Sequence, residues 1–194
     1  RKGEFDAYTA RADGTRIQPV ATKDIDEAVM AWTHDGRFIE KEWRPDGSTP
    51  ILLLDPRAGG GTKQLVANSG TDTKARVSAD DRWMLYSSAR AGRSEIYVHP
   101  VREGGTGARA SNNGGAWPVW SPDSKAIFFL RGRDLVSVSF RDDGGRAVLG
   151  GEQALFSLPP SAVLYGISPD GRRFLVGLPS GPEPVPGIRV VLNW

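Results

Sequence analysis

Apolar positions along the chain fall in short runs separated by Gly-, Pro- and Asp-rich stretches, a pattern of strands and tight turns rather than helices. The runs come in a fixed order. "RFIEKEW", "RWMLYSS", "AIFFL" and "RRFLVGL" each follow a turn built on Asp. "PILLLD", "EIYVHPV", "DLVSVSF" and "GIRVVLNW" come next, and then "KQLVA", "ARAS" and "ALFSL" after Gly-rich turns. Many runs are apolar at successive positions, as in strands covered on both faces. The one window with helical character, "DIDEAVMAW" at 24–32, is short and leads into an Asp turn, so it reads as loop plus strand.

Aligning "WTHDGRFIEK" (32–41), "VSADDRWMLY" (77–86), "WSPDSKAIFF" (120–129) and "ISPDGRRFLV" (167–176) superposes Asp35, Asp80, Asp123 and Asp170, at separations of 45, 43 and 47 residues. That period is the length of one four-stranded propeller blade. The template predicts an all-β chain of seventeen strands in about four blades. Residues 1–22 form a half blade; 23–67, 68–111 and 112–158 form full blades; and 159–194 form a final blade lacking its outer strand. With the half blade lacking its first two strands as well, the expectation is an open arc of a larger ring rather than a closed four-bladed one. Such an arc exposes an apolar blade face at each end and is expected to self-associate.

With "WSPDS", "ISPDG", "GRSEIYVHPV" and "IRVVLNW" in view, the chain resembles the TolB-like, Pro-Asp-type (WD-like) β-propeller repeat family. Within it, the likeness is to C-terminal propellers of bacterial multidomain regulators, some of them kinase-linked. The resemblance implies a six-bladed parent ring that binds a protein or peptide and does no chemistry. It also implies a bacterial source, with the remaining blades of the parent as partners and "VVLNW" near the parent's natural C-terminus. Two departures stand out: "VSADD" lacks both Trp and Pro, and His34 occupies the Pro position of "WTHDG". Two enzyme-linked alternatives stay open. One is a propeller gating a prolyl-oligopeptidase-type hydrolase; the other is a propeller enzyme with a channel site.

Composition narrows the classes. The 194 residues are 39% hydrophobic and 25% charged, ordinary for a globular domain, with 24 Gly and 14 Pro spread along the chain. Net charge is +2 and no run of five like charges occurs, which gives no nucleic-acid tail. No Cys is present, so thiolate nucleophiles, disulfides and Cys-based zinc sites are excluded, and periplasm and cytoplasm are not distinguished. The longest aliphatic run, "ILLL" at 51–54, is too short to insert in a membrane, and no signal peptide is visible.

The recurring Ser and Asp residues invite a catalytic reading, but Ser78, Ser121 or Ser168 would each need a His base. Only His34 and His99 exist, and no G-x-S-x-G elbow is present. Four copies at blade spacing instead make Asp35, Gly36, Asp80, Asp123, Asp170 and Gly171 structural turn residues: Asp accepts backbone N–H groups and Gly supplies a positive φ. The Gly spacing does not fit a sialidase Asp-box. "GTGARA" and "GGGTK" lack the strand–helix setting of phosphate-binding loops, so no cofactor is expected. No metal site is expected either; Asp142–Asp143 and the Asp24/Asp26 pair read as solvated loop charges.

Trp32, Trp83, Trp117, Trp120, Tyr165 and Phe174 are expected to fill the gaps between blades, with Trp117 and Tyr165 nearest the channel mouth. Function is sought on the rim opposite the Asp turns. There Arg44, Arg90, Arg93, Arg131 and Arg133 outnumber the acids Glu42, Asp46, Glu95 and Glu183, a basic surface suited to an acidic partner segment.

Overall fold

A computed structural model describes residues 7–21, 25–58, 61–70, 74–89, 92–102, 105–178 and 190–191. Among them the chain is all-β apart from one short 3-10 turn at Pro56–Ala58. It divides into two compact units, Arg1–Thr71 and Asp72–Trp194.

In the first unit, β1 (Ala7–Thr9) and β2 (Gln18–Ala21) form an antiparallel pair. A four-stranded sheet follows, in sequence order: β3 (Asp26–Trp32), β4 (Phe38–Trp43), β5 (Ile51–Asp55) and β6 (Gly61–Val66). Every link is antiparallel, so the strands run up and down across the sheet. Successive β4 side chains point to opposite faces, yet Phe38, Ile39, Glu40, Lys41 and Glu42 are all buried. A charged side chain buried this way needs a partner. Lys41 donates its ammonium to the Gly70 carbonyl and lies 4.8 Å from the Trp43 ring centroid.

Trp32 departs from the expected gap filling. It is 62% exposed, touching Phe38 with ring centroids 5.0 Å apart. Its repeat equivalent Trp120 is buried, and the Trp120 indole N–H donates to the Arg76 carbonyl of the preceding blade's innermost strand at 3.2 Å. The sheet preceding Trp32 has two strands among the described residues, the outer pair of a blade. The same repeat position is therefore covered in one sheet and exposed in the other among the described residues.

The second unit holds three sheets. The first comprises β7 (Ala75–Val77), β8 (Trp83–Ser88), β9 (Glu95–Pro100) and β10 (Ala108–Arg109). The next comprises β11 (Ala116–Trp120), β12 (Ala126–Arg131), β13 (Asp134–Asp143) and β14 (Arg146–Ser157). The last comprises β15 (Val163–Ile167), β16 (Phe174–Gly177) and β17 (Val190–Val191). The middle sheet is apolar on both sides, and the alternation along β12 shows how. Ile127 and Phe129 join Trp83, Leu85, Ile96 and Val98 in one cluster; Phe128 and Leu130 join Leu164, Phe174 and Val176 in another.

One hairpin outruns its blade. The β13–β14 pair carries its turn, Gly144–Gly145, to the neighbouring sheet, where Thr106 donates to the Gly145 carbonyl and accepts from the Ala147 N–H. Gly105 permits this approach: a Cβ there would lie 2.6 Å from the Pro100 Cβ. Asp142 is no solvated loop charge. It accepts from the Trp83 indole at 3.1 Å and the Gly145 N–H at 2.7 Å, and it pairs with Arg82 at 2.6 Å. Desolvation opposes its ionisation, but these partners hold its carboxyl below the usual range. The reason is tertiary: hairpin length brings Asp142 onto the adjacent blade.

Replacing Trp32 with Lys is expected to lower self-association in sedimentation velocity at several concentrations. Its thermal unfolding should change by less than about 0.5 kcal/mol, as for a surface substitution.

Candidate functional site

Each Asp turn is a hairpin between the first and second strands of its own sheet, and its hydroxyl is already committed. Ser78, Ser121 and Ser168 each donate to the Asp two residues on, at 2.6 Å for Ser78 and 2.7 Å for Ser121. Each hydroxyl also accepts the backbone N–H five residues on: Trp83 at 3.0 Å, Ala126 at 2.8 Å and Arg173 at 3.0 Å. Asp80, Asp123 and Asp170 in turn accept the N–H of the residue two ahead. The fourth turn is one residue tighter. Thr33 bonds Asp35 at 2.6 Å and accepts from the Arg37 N–H, and Arg37 forks onto the Asp35 carboxylate.

These bonds depress carboxyl pKa values: at Asp35 chiefly through the Arg37 side chain, at Asp123 through Ser121, and at Asp170 through Ser168. The residue after each Asp has a positive φ: Gly36, Asp81, Ser124 and Gly171. Ser124 also accepts the Ala79 N–H at 2.9 Å, tying one turn to the next. A hydroxyl so engaged holds its own hairpin closed.

The opposite ends of the blades carry the arginines, and most are matched. Arg44 donates to Glu42 at 2.8 Å in the first unit. In the second unit Arg93 pairs with the buried Glu95 at 2.9 Å and donates to the Asn112 carbonyl at 3.0 Å. Arg131 pairs with Glu152 at 2.5 Å, and Glu152 also accepts from the Asn112 N–H. Arg133 donates through Nε to the Leu158 carbonyl at 3.0 Å. Glu95 is the centre of this network. It accepts from the Ser111 hydroxyl and the Gly114 N–H as well as from Arg93. Burial opposes its charge, yet Ser111, Gly114 and Arg93 together keep its carboxyl below the usual range. Arg90 lies outside the described residues, as does Glu183.

Comparison with solved structures places these sheets in a known architecture. TolB from Acinetobacter baumannii superposes with a TM-score of 0.65 at 22% identity, over 90% of this chain and 43% of that one. A protein assigned as TolB from Agrobacterium tumefaciens gives 0.60 at 23%, over 79% of this chain and 57% of that one. The fold is a TolB-like β-propeller. A protein assigned as a 6-phosphogluconolactonase from Bacteroides uniformis shares the architecture more distantly, at 0.53 and 14% identity, over 88% of this chain and 56% of that one. The chain thus spans less than two thirds of each of these structures. No family model matches the sequence.

In a propeller the first strand of each blade is innermost, the place that β11 and β15 hold in their sheets. Both carry a register break near their starts, between Ala116 and Val119 and between Leu164 and Gly166. Trp117 sits in the first break, half-buried against the Leu130–Leu158 cluster, with a φ of 56°. The left-handed region costs an L-residue about 1–2 kcal/mol. Tyr165 lies in the second break, on described backbone. The Lys74 ammonium lies 5.3 Å from the Trp117 ring centroid. Among the described residues no group of three or more His, Asp or Glu side chains is placed to hold a metal.

Sequence reading missed Glu152, Ser111 and Lys74. Glu152 reaches Arg131 only through the β13–β14 register, and nothing local marks it. Ser111 and Lys74 sit in the loops leading into blades, where no strand pattern draws attention.

Three substitutions test these networks. Ser78→Ala strands the N–H of a buried Trp83 and is expected to cost about 1–3 kcal/mol in chemical denaturation. Ser168→Ala leaves the exposed Arg173 N–H to water and should cost about 0.5–1 kcal/mol. Glu95→Ala removes the acceptor shared by Ser111, Gly114 and Arg93. It should cost about 3 kcal/mol and speed amide exchange at Gly114 relative to Leu85.

Proposed function

We propose that this propeller is a non-catalytic scaffold that binds a protein or peptide through the blade ends opposite the Asp turns. One observation carries the reading: the Ser and Asp residues that suggest catalysis are spent on hairpin geometry, while the other blade ends carry loops that differ from blade to blade. In the second unit those loops are braced. The Glu95 network fixes residues 111–115 from below, and Ser94 closes the same segment through paired bonds with Gly115. Loops held on a rigid scaffold recognise partners at low entropic cost, which is where β-rich scaffolds carry specificity.

The TolB-like likeness supports the architecture of this reading. It supplies no partner, and the match to an assigned lactonase at 14% identity carries fold alone. The rim side chains are arranged for complementarity rather than for bond-making. Their described arginines are bonded to glutamates or carbonyls.

A photoreactive phenylalanine derivative at Asn113, an exposed position in the braced loop, tests the reading in the intact cell. Discrete cross-linked products are expected from Asn113, and none from the same group at Lys125 in an Asp turn. Equal labelling from both positions, or products from Lys125 alone, would move the binding surface to the other end of the blades.

A further inference from the structure

We propose that Lys74 and Trp117, with Arg133 at the β12–β13 turn of the sheet that carries Trp117, form the point at which an acidic peptide segment is recognised. The proposal rests on the scaffold reading above and names the partner's chemistry. It begins from what does not recur. In this fold architectural features return blade after blade: the Ser/Thr–Asp hairpin appears in every copy, and a break in the innermost strand occurs in β3, β11 and β15. Trp117 alone among the described inner-strand residues adopts a positive φ. A bulky aromatic rarely adopts that conformation, and such outliers gather at functional positions. Pro118 follows it, so no ladder N–H is lost at the distortion.

The distortion has a consequence in charge. The indole is half-buried against an apolar cluster, and the Lys74 ammonium rests 5.3 Å from its centroid. Lys74 is exposed, and the Trp117 ring is the only partner of its ammonium among the described residues. Arg44, Arg93 and Arg131 are each neutralised by a glutamate, at 2.8 Å, 2.9 Å and 2.5 Å. Arg133 differs from them. Its Nε is fixed by the Leu158 carbonyl, and Leu158 belongs to the cluster on which Trp117 packs. Its two terminal nitrogens have no partner among the described residues, leaving the fork that binds carboxylates open.

An aromatic ring that carries an available ammonium, in a sheet whose β12–β13 turn presents an available guanidinium, suits a Glu side chain within an extended segment. The carboxylate meets the cations while its methylenes lie on the indole. A free inorganic anion would use the charges and leave the ring idle. The complement is therefore an acidic peptide.

The test is fluorescence anisotropy with the 194-residue chain and a labelled, C-terminally amidated decapeptide of alternating Glu and Leu. Saturable binding that weakens with added salt is expected. Lys74→Gln and Arg133→Gln should each weaken it at least fivefold, and Trp117→Ala at least tenfold. Because Trp117 also packs on the core, Trp117→Phe serves as the folded control and should retain part of the affinity. A Gln-for-Glu peptide should not bind, and Arg172→Gln in an Asp turn should leave affinity unchanged. Absence of saturable binding would overturn the proposal. So would equal weakening by Arg172→Gln, or displacement by inorganic phosphate at concentrations where sodium chloride of matched ionic strength has no effect. A partner cross-linked from Asn113 whose capture survives Lys74→Gln would leave the scaffold reading intact and overturn this one.

Discussion

A sheet that is apolar on both faces has no side to give to water. That constraint governs the second unit. β12 sends Ile127 and Phe129 to one neighbour and Phe128 and Leu130 to the other, so the middle sheet is stable only between two more. Side chains of this size cost about 3–5 kcal/mol when truncated in a core, far more than any single surface pair contributes. Cross-blade polar contacts then fix orientation. Trp83 and Arg82 hold Asp142, Trp120 reaches the Arg76 carbonyl, and Thr106 pairs with the overlong hairpin. Trp32 shows the rule from the other side, since its indole stays in solvent where no inner strand precedes it among the described residues.

The division between architecture and recognition follows from repetition. A hairpin needed once per blade must be encoded once per blade, and the Ser/Thr–Asp pairs are spent that way. What remains for function is whatever breaks the repeat. Among the described residues, the Glu95 network, the strained Trp117 and the open guanidinium of Arg133 each occur in one blade only. Arg44, Arg93 and Arg131 at these blade ends each meet a glutamate in space.

Much of the fold was legible because its signals are short-range. The Asp turn closes within six residues, through bonds from Ser121 to Asp123 and from Ala126 to Ser121, and its geometry needs no distant partner. Its recurrence marks the blade period, and two-sided apolar runs such as "AIFFL" mark the strands. Side-chain environment was not legible in the same way. Trp32 and Trp120 hold equivalent positions in the repeat, yet one is exposed and the other buried. Arg131 and Glu152 are 21 residues apart, and Trp83 and Asp142 are 59 apart; strand register and blade stacking bring them together.

The sequence by itself determined an all-β chain of Asp-turned blades, because hairpins and alternation are set by neighbours along the backbone. Only the tertiary structure decided which arginines are neutralised, which tryptophan lacks cover, and where Lys74 meets Trp117. Each of those depends on the distance between separate sheets, which is set by core packing and written in no single stretch of residues.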